Sequence, residues 1–152
     1  MKKANRLLVF GGALSIVTAL LHVAIVIGGP QWYRFFGAGE ELATMAEKGS
    51  WYPAVLTFGI AVVLLIWALY AFSGAGLIRR LPLLKVGLVV ISAIYLIRGI
   101  AFIPAYIVKP EIVDEFLVWS SFICLVYGFA YTMGTKQDPP IIGSSKNRFR
   151  LV

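Results

Sequence analysis

Residues Gly49 to Ile78, GSWYPAVLTFGIAVVLLIWALYAFSGAGLI, run for 30 positions without an Asp, Glu, Lys or Arg. A helix needs about 20 predominantly apolar residues to cross the hydrocarbon core of a bilayer, so this stretch reads as a membrane span with its flanks. Working outward, Leu7 to Tyr33 is uncharged over 27 residues and Phe116 to Thr135 over 20. A further apolar stretch, Val86 to Val108, is interrupted by one charge, Arg98. Breakers separate the spans: Gly28-Gly29-Pro30, Ser73-Gly74-Ala75-Gly76 and Lys109-Pro110. The spacing predicts helices over 7–28, 53–73, 86–108 and 113–134. The expected fold is an all-α integral membrane protein, one membrane domain over residues 1–152, built as a four-transmembrane-helix bundle with a structured outer loop between helices one and two.

Composition agrees. The chain has 152 residues, 60% hydrophobic and 14% charged, whereas a soluble domain carries roughly 45–50% apolar and about 25% charged residues. Too few charges remain to cover a water-facing surface. The net charge of +7 would suggest nucleic acid in a soluble chain, but no basic helix interleaved with aromatics is present, so no nucleic-acid partner is expected. Cys124 stands alone, which excludes an internal disulfide and a thiolate zinc site. The basic start, Lys2, Lys3 and Arg6, precedes an apolar segment longer than a signal peptide's, and is read as the entry to an uncleaved first helix.

Short cytoplasmic loops retain Lys and Arg. Ten cations precede helix one, join helices two and three, or follow helix four; Arg34, Lys48 and Lys109 fall on the opposite side. The expected location is the cell (inner, cytoplasmic) membrane, multi-pass, with both termini cytoplasmic. The tail, 136–152, is rich in Pro, Ser and cations and is predicted to be disordered.

The outer loop, Gly29 to Tyr52, is far longer than a helical hairpin needs. Trp32, Tyr33, Phe35 and Phe36 surround Arg34, and Trp51-Tyr52 closes the loop; such aromatics suit a lipid–water interface or a lid. Gly39 to Lys48 fits a short amphipathic helix with Leu42, Met45 and Ala46 inward and Glu40, Glu41 and Glu47 outward.

Arg98 is the one charge deep in a span. Its insertion costs about 2.5–3.5 kcal/mol, against roughly 5 kcal/mol returned by the helix's Leu, Ile, Val and Phe residues. The guanidinium still needs partners for five donors, and an ionisable group in a span is a functional candidate. Gly11, Ser15, Thr18 and His22 share one face of helix one. Ser92, Tyr95, Gly99, Phe102 and Tyr106 share a face of helix three, with Arg98 at its edge, and Ser120, Cys124, Tyr127 and Tyr131 mark a face of helix four. Such faces serve helix packing. Their depth also brings His22, Thr57, Tyr95, Arg98, Ser120 and Ser121 toward the outer leaflet, where they form a candidate ligand-binding set for an anionic amphiphile. Glu111, Asp114 and Glu115 would flank its mouth, and a loop carboxylate could instead neutralise Arg98.

No catalytic motif, cofactor site or metal-ligand spacing is present; the lone His22 cannot supply a paired-His haem site. His22 with Ser120 or Ser121 is the enzyme alternative. Helix one has no Asp or Glu, unlike small drug exporters that carry one carboxylate there. The residues therefore favour a partner-binding accessory, assembly or immunity-type membrane protein. A binder of a lipid or anionic amphiphile around Arg98 is the alternative, and an oligomeric small transporter the third. Expected partners are the lipid bilayer and another membrane protein or a second copy of the chain.

Overall fold

A computed structural model describes residues 4–110, 113 and 115–137. The described residues contain seven helices: α1 (Arg6–Gly28), α2 (Pro30–Phe35), α3 (Glu40–Glu47), α4 (Tyr52–Gly74), α5 (Leu84–Ile100), α6 (Phe102–Val108) and α7 (Glu115–Lys136). Helices α1, α4, α5 with α6, and α7 are long and apolar enough to cross a membrane, and the all-helical fold is that of a four-helix membrane bundle. The expected spans match to within about two residues, with one difference. The span expected over 86–108 starts at Leu84 and breaks at Ala101. Pro104 has no N–H for the Ile100 carbonyl four residues earlier, and its ring crowds that carbonyl. Glu111, Asp114 and the tail over 138–152 lie outside the described residues.

Packing pairs α1 closely with α4 and α5 with α7; α1 also meets α7 and α4 meets α5, closing an up-and-down ring. One end of the ring gathers the start of α1, the end of α4 and the end of α7. Asn5 caps α1 by accepting from the Leu8 amide (3.3 Å), donates from Nδ2 to the Gly134 carbonyl at the end of α7 (2.7 Å), and donates its backbone N–H to Ala75 beyond α4 (3.3 Å). This terminal end also holds the α4–α5 turn, where Ser73 donates to the Arg79 carbonyl and accepts from the Leu81 amide.

Small residues let the helices approach, as expected between membrane helices with no hydrophobic drive of their own. Gly99 of α5 faces Leu125 of α7, and Gly128 of α7 faces Leu96 of α5. A Cβ added at Gly99 would lie 3.0 Å from the Leu125 backbone nitrogen, so this seam has no room for a methyl.

The opposite, loop end carries α2 and α3. Tyr33, 2% exposed, packs with Ile25 and Ala43 as a separate small core, with Leu21, Phe36 and Ala46 against it. The aromatics therefore divide: Tyr33 points inward, while Phe35 and Trp51 are exposed. Helix α3 keeps its three glutamates outward as expected, but its most buried residue is Ala43 rather than Leu42, Met45 or Ala46. The Tyr33 ring occupies the interior, and the space left beside it suits a methyl group. The loop also crosses the bundle: Gly37, at φ 63, sits directly against the Phe116 ring at the start of α7, a position open to a residue with no Cβ.

Candidate functional site

Two polar clusters occupy the bundle, one inside and one on its flank. The inner cluster is built around Ser15, which is fully buried. Its hydroxyl donates to the Gly11 carbonyl one turn back (2.9 Å) and lies 2.9 Å from the Tyr131 hydroxyl and 3.4 Å from that of Tyr95. Tyr131 also donates to the Trp67 carbonyl (3.2 Å). Tyr127 donates to the Leu14 carbonyl (2.9 Å) and pairs with the Thr18 hydroxyl. All four spans thus share one network. The rings stack as well: Tyr95 lies 4.8 Å from Tyr127, 5.6 Å from Tyr131 and, edge to face, 4.9 Å from Trp67. Such geometry uses the ring quadrupoles while every hydroxyl finds a partner. A tyrosine interior of this kind fixes the bundle's register.

The flank cluster contains Arg98. Its side chain is exposed, on the α5–α7 face, and donates to Ser121 Oγ (3.1 Å) and to Ser120 Oγ (3.2 Å). Ser121 is fully buried and Ser120 itself donates to the Leu117 carbonyl. These bonds use two of five guanidinium donors. Among the described residues no carboxylate pairs with Arg98; the ion pairs there are Arg34 with Glu40 (2.7 Å) and Arg34 with Glu47 (2.6 Å). Of Glu40, Glu41, Asp114 and Glu115, the carboxylates expected to be able to neutralise Arg98, Glu40 is therefore bound elsewhere. Hydrogen bonds donated to Glu40 and Glu47 hold the Arg34 guanidinium above its ordinary range, and the same bonds hold both carboxyls below theirs.

Of the six candidate residues, Arg98, Ser120 and Ser121 come together. Tyr95, one turn from Arg98, belongs to the inner network. His22 Nδ1 lies 2.7 Å from the Thr18 carbonyl of its own helix, and no hydrogen bond joins it to Ser120 or Ser121. Thr57 is buried on α4 and makes no hydrogen bond with the other five. On helix three the expected face ends at the Ala101 break: Ser92, Tyr95 and Gly99 are buried while Tyr106 is 63% exposed.

Sequence reasoning missed three contributors. Asn5 carried a legible signal, an N-cap residue just before an apolar run. Trp67, whose carbonyl and ring serve the tyrosine cluster, carried none in an all-apolar span. The third is a groove of about 490 Å³ at the terminal end, between α5 and α7, whose rim includes Arg80, Lys85 and Lys136. Those cations had been informative only about orientation. Among the described residues, no three His, Cys, Asp or Glu side chains gather into a metal-ligand group. The chain matches no protein-family model, no curated protein and no solved structure.

Proposed function

We propose that this protein acts by docking within the membrane, as an accessory, assembly or immunity-type subunit whose α5–α7 flank receives an acidic group of a partner membrane protein at Arg98. The supporting observation is the guanidinium itself: exposed, anchored on one side by Ser120 and Ser121, and without a carboxylate among the described residues. A cation held at this depth is costly in lipid, and a partner carboxylate taking its remaining donors removes that cost with a bidentate, charge-assisted bond. Exposed Ile94 and Ile97, one turn and one residue before Arg98 on α5, add apolar contact surface beside it.

In this reading the protein resides in the cytoplasmic membrane with both termini inside. Arg6, Arg79, Arg80, Lys85 and Lys136 lie toward the terminal end, and Arg34, Lys48 and Lys109 toward the loop end. A C-terminal tag protected in intact cells and accessible after permeabilisation is the expected result; a tag reached from outside overturns the orientation.

The docking test places a photo-crosslinker at Ile94, exposed one turn before Arg98 on α5, at native expression and in mild detergent. One stoichiometric membrane-protein adduct is expected, reduced by roughly ten- to a hundredfold in Arg98→Leu, as follows from about 1.5–3 kcal/mol for hydrogen bonds to a charged group, and reduced less in Arg98→Lys, which keeps the charge and loses the bidentate fork. Recovery of no adduct, or an adduct indifferent to Arg98→Leu in a variant with native melting, rejects the reading. An adduct consisting of phospholipid alone favours the second reading, an anionic amphiphile at Arg98. That reading draws on the same free donors and on lipid being the default neighbour of an exposed flank.

A further inference from the structure

At the terminal end, with its rim at Lys85 about 20 Å along α5 from Arg98 at 1.5 Å per residue, the groove between α5 and α7 combines two features. Its walls are apolar, formed by Leu84, Leu88, Val89 and Leu96 of α5, and its rim carries Arg80, Lys85 and Lys136. All three cations are exposed, and none has an ion-pair partner among the described residues. Deeper in, the Thr132 hydroxyl is buried without a hydrogen-bond partner, whereas the Ser92 hydroxyl is tied to the Leu88 carbonyl (2.7 Å).

We infer that this groove is a binding site for an anionic phospholipid, with the phosphate at Arg80, Lys85 and Lys136 and one acyl chain lying along α5. Three observations select that occupant. The rim cations are complementary to a phosphate and have no carboxylate of their own. The volume falls within the roughly 300–1,000 Å³ of small-ligand sites. The α5 wall from Leu84 to Leu96 rises about 18 Å at 1.5 Å per residue, close to the roughly 15 Å depth of one leaflet's hydrocarbon. A soluble anion would use the rim and leave that wall idle. The site is independent of the docking proposed at Arg98.

The test uses the full chain in nanodiscs of phosphatidylcholine doped with phosphatidylglycerol, followed by native mass spectrometry of the protein released with its tightly held lipid. One phosphatidylglycerol per chain, preferred over phosphatidylcholine, is expected. The triple variant Arg80→Gln, Lys85→Gln, Lys136→Gln lowers the preference at least about tenfold, since each cation near an anionic headgroup contributes roughly fivefold. Ala93→Trp, which fills the groove, removes both lipids, and Arg98→Leu leaves retention unchanged. Glycerol phosphate, lacking the chain, does not compete. Equal retention of the two lipids by the native chain overturns the inference, as does a triple variant with preference intact. It also falls if glycerol phosphate competes, if Arg98→Leu rather than the triple variant releases the lipid, or if crosslinks from Val89 capture residues 138–152 of the chain in place of lipid.

Discussion

Replacing Gly99 by alanine tests whether the close seam between α5 and α7 is what seats Arg98 against its serines. The added methyl would lie 2.7 Å from two Leu125 side-chain carbons and 3.0 Å from the Leu125 backbone nitrogen. The leucine can swing away, but the backbone can yield only by parting the helices. Overpacking of this kind costs about 1–3 kcal/mol, and alanine's better helix propensity returns about 1 kcal/mol, leaving a net loss of about 0–2 kcal/mol, centred near 1. At Gly128 the nearest backbone atom, the Leu96 nitrogen, is 3.2 Å from the added Cβ, so Gly128→Ala should cost less. Both methyls require the same separation, so the double variant should lose less than the two singles combined. Gly59 on α4 is the control: nothing lies within 4 Å of its added Cβ, and Gly59→Ala should gain up to about 1 kcal/mol. Reversible unfolding in mixed micelles measures all four. Gly99→Ala with higher stability than the native chain, or Gly59→Ala with the same loss as Gly99→Ala, would refute the packing argument.

Three further outcomes follow from individual side chains. Tyr131→Phe removes bonds to Ser15 and to the Trp67 carbonyl and should destabilise the bundle by about 0.6–1.7 kcal/mol on the scale of interhelical hydrogen bonds in membranes, read from the same unfolding curves; no change would mean the inner network is idle. Tyr33→Phe should be neutral or stabilising by up to about 1 kcal/mol, because the Tyr33 hydroxyl is buried without a partner, and a clear loss of melting temperature would contradict that. The Arg34 pairs make loop docking pH-dependent in one direction. Glu40 and Glu47 have carboxyls below their ordinary value of 4.5, so their contribution is present above that value and is lost as pH falls through the lowered folded values. The protection of the α2 and α3 amides, their exchange referred to the unfolded chain at the same pH, should therefore stay constant from neutral pH down to about 5 and fall on further acidification; a fall already between pH 7 and about 5 would exclude this cause.

The four spans were legible because hydropathy and its breakers are local properties: Gly28-Gly29-Pro30 stops α1 at Gly28 whatever surrounds it. The α3 glutamates were legible for the same reason, since amphipathic period alone sets which face meets water. Arg98, Ser120 and Ser121 were each identifiable as polar residues at one depth. Their union, and the exclusion of His22 and Thr57 from it, depended on how far α5 slides along α7 and how each helix is rotated. That register is set by contacts such as Gly99 with Leu125 and Gly128 with Leu96, between residues distant in the chain. The groove was illegible for a related reason: its rim joins Arg80 and Lys85 to Lys136 across about fifty residues, and each had a sufficient local explanation as an orientation charge.

The amino-acid sequence by itself determined how many helices are long and apolar enough to cross a bilayer and which side chains are too polar to be there without a partner. Those follow from transfer free energies summed residue by residue. The tertiary structure alone decided which of those polar groups satisfy one another: Ser15 with Tyr131 and Tyr95, Thr18 with Tyr127, Arg98 with Ser120 and Ser121. It also left an anchored guanidinium facing outward at one depth and a cationic groove at the other end. Such pairings depend on distances of about 3 Å between separate helices, and those distances exist only once close packing has chosen a single register.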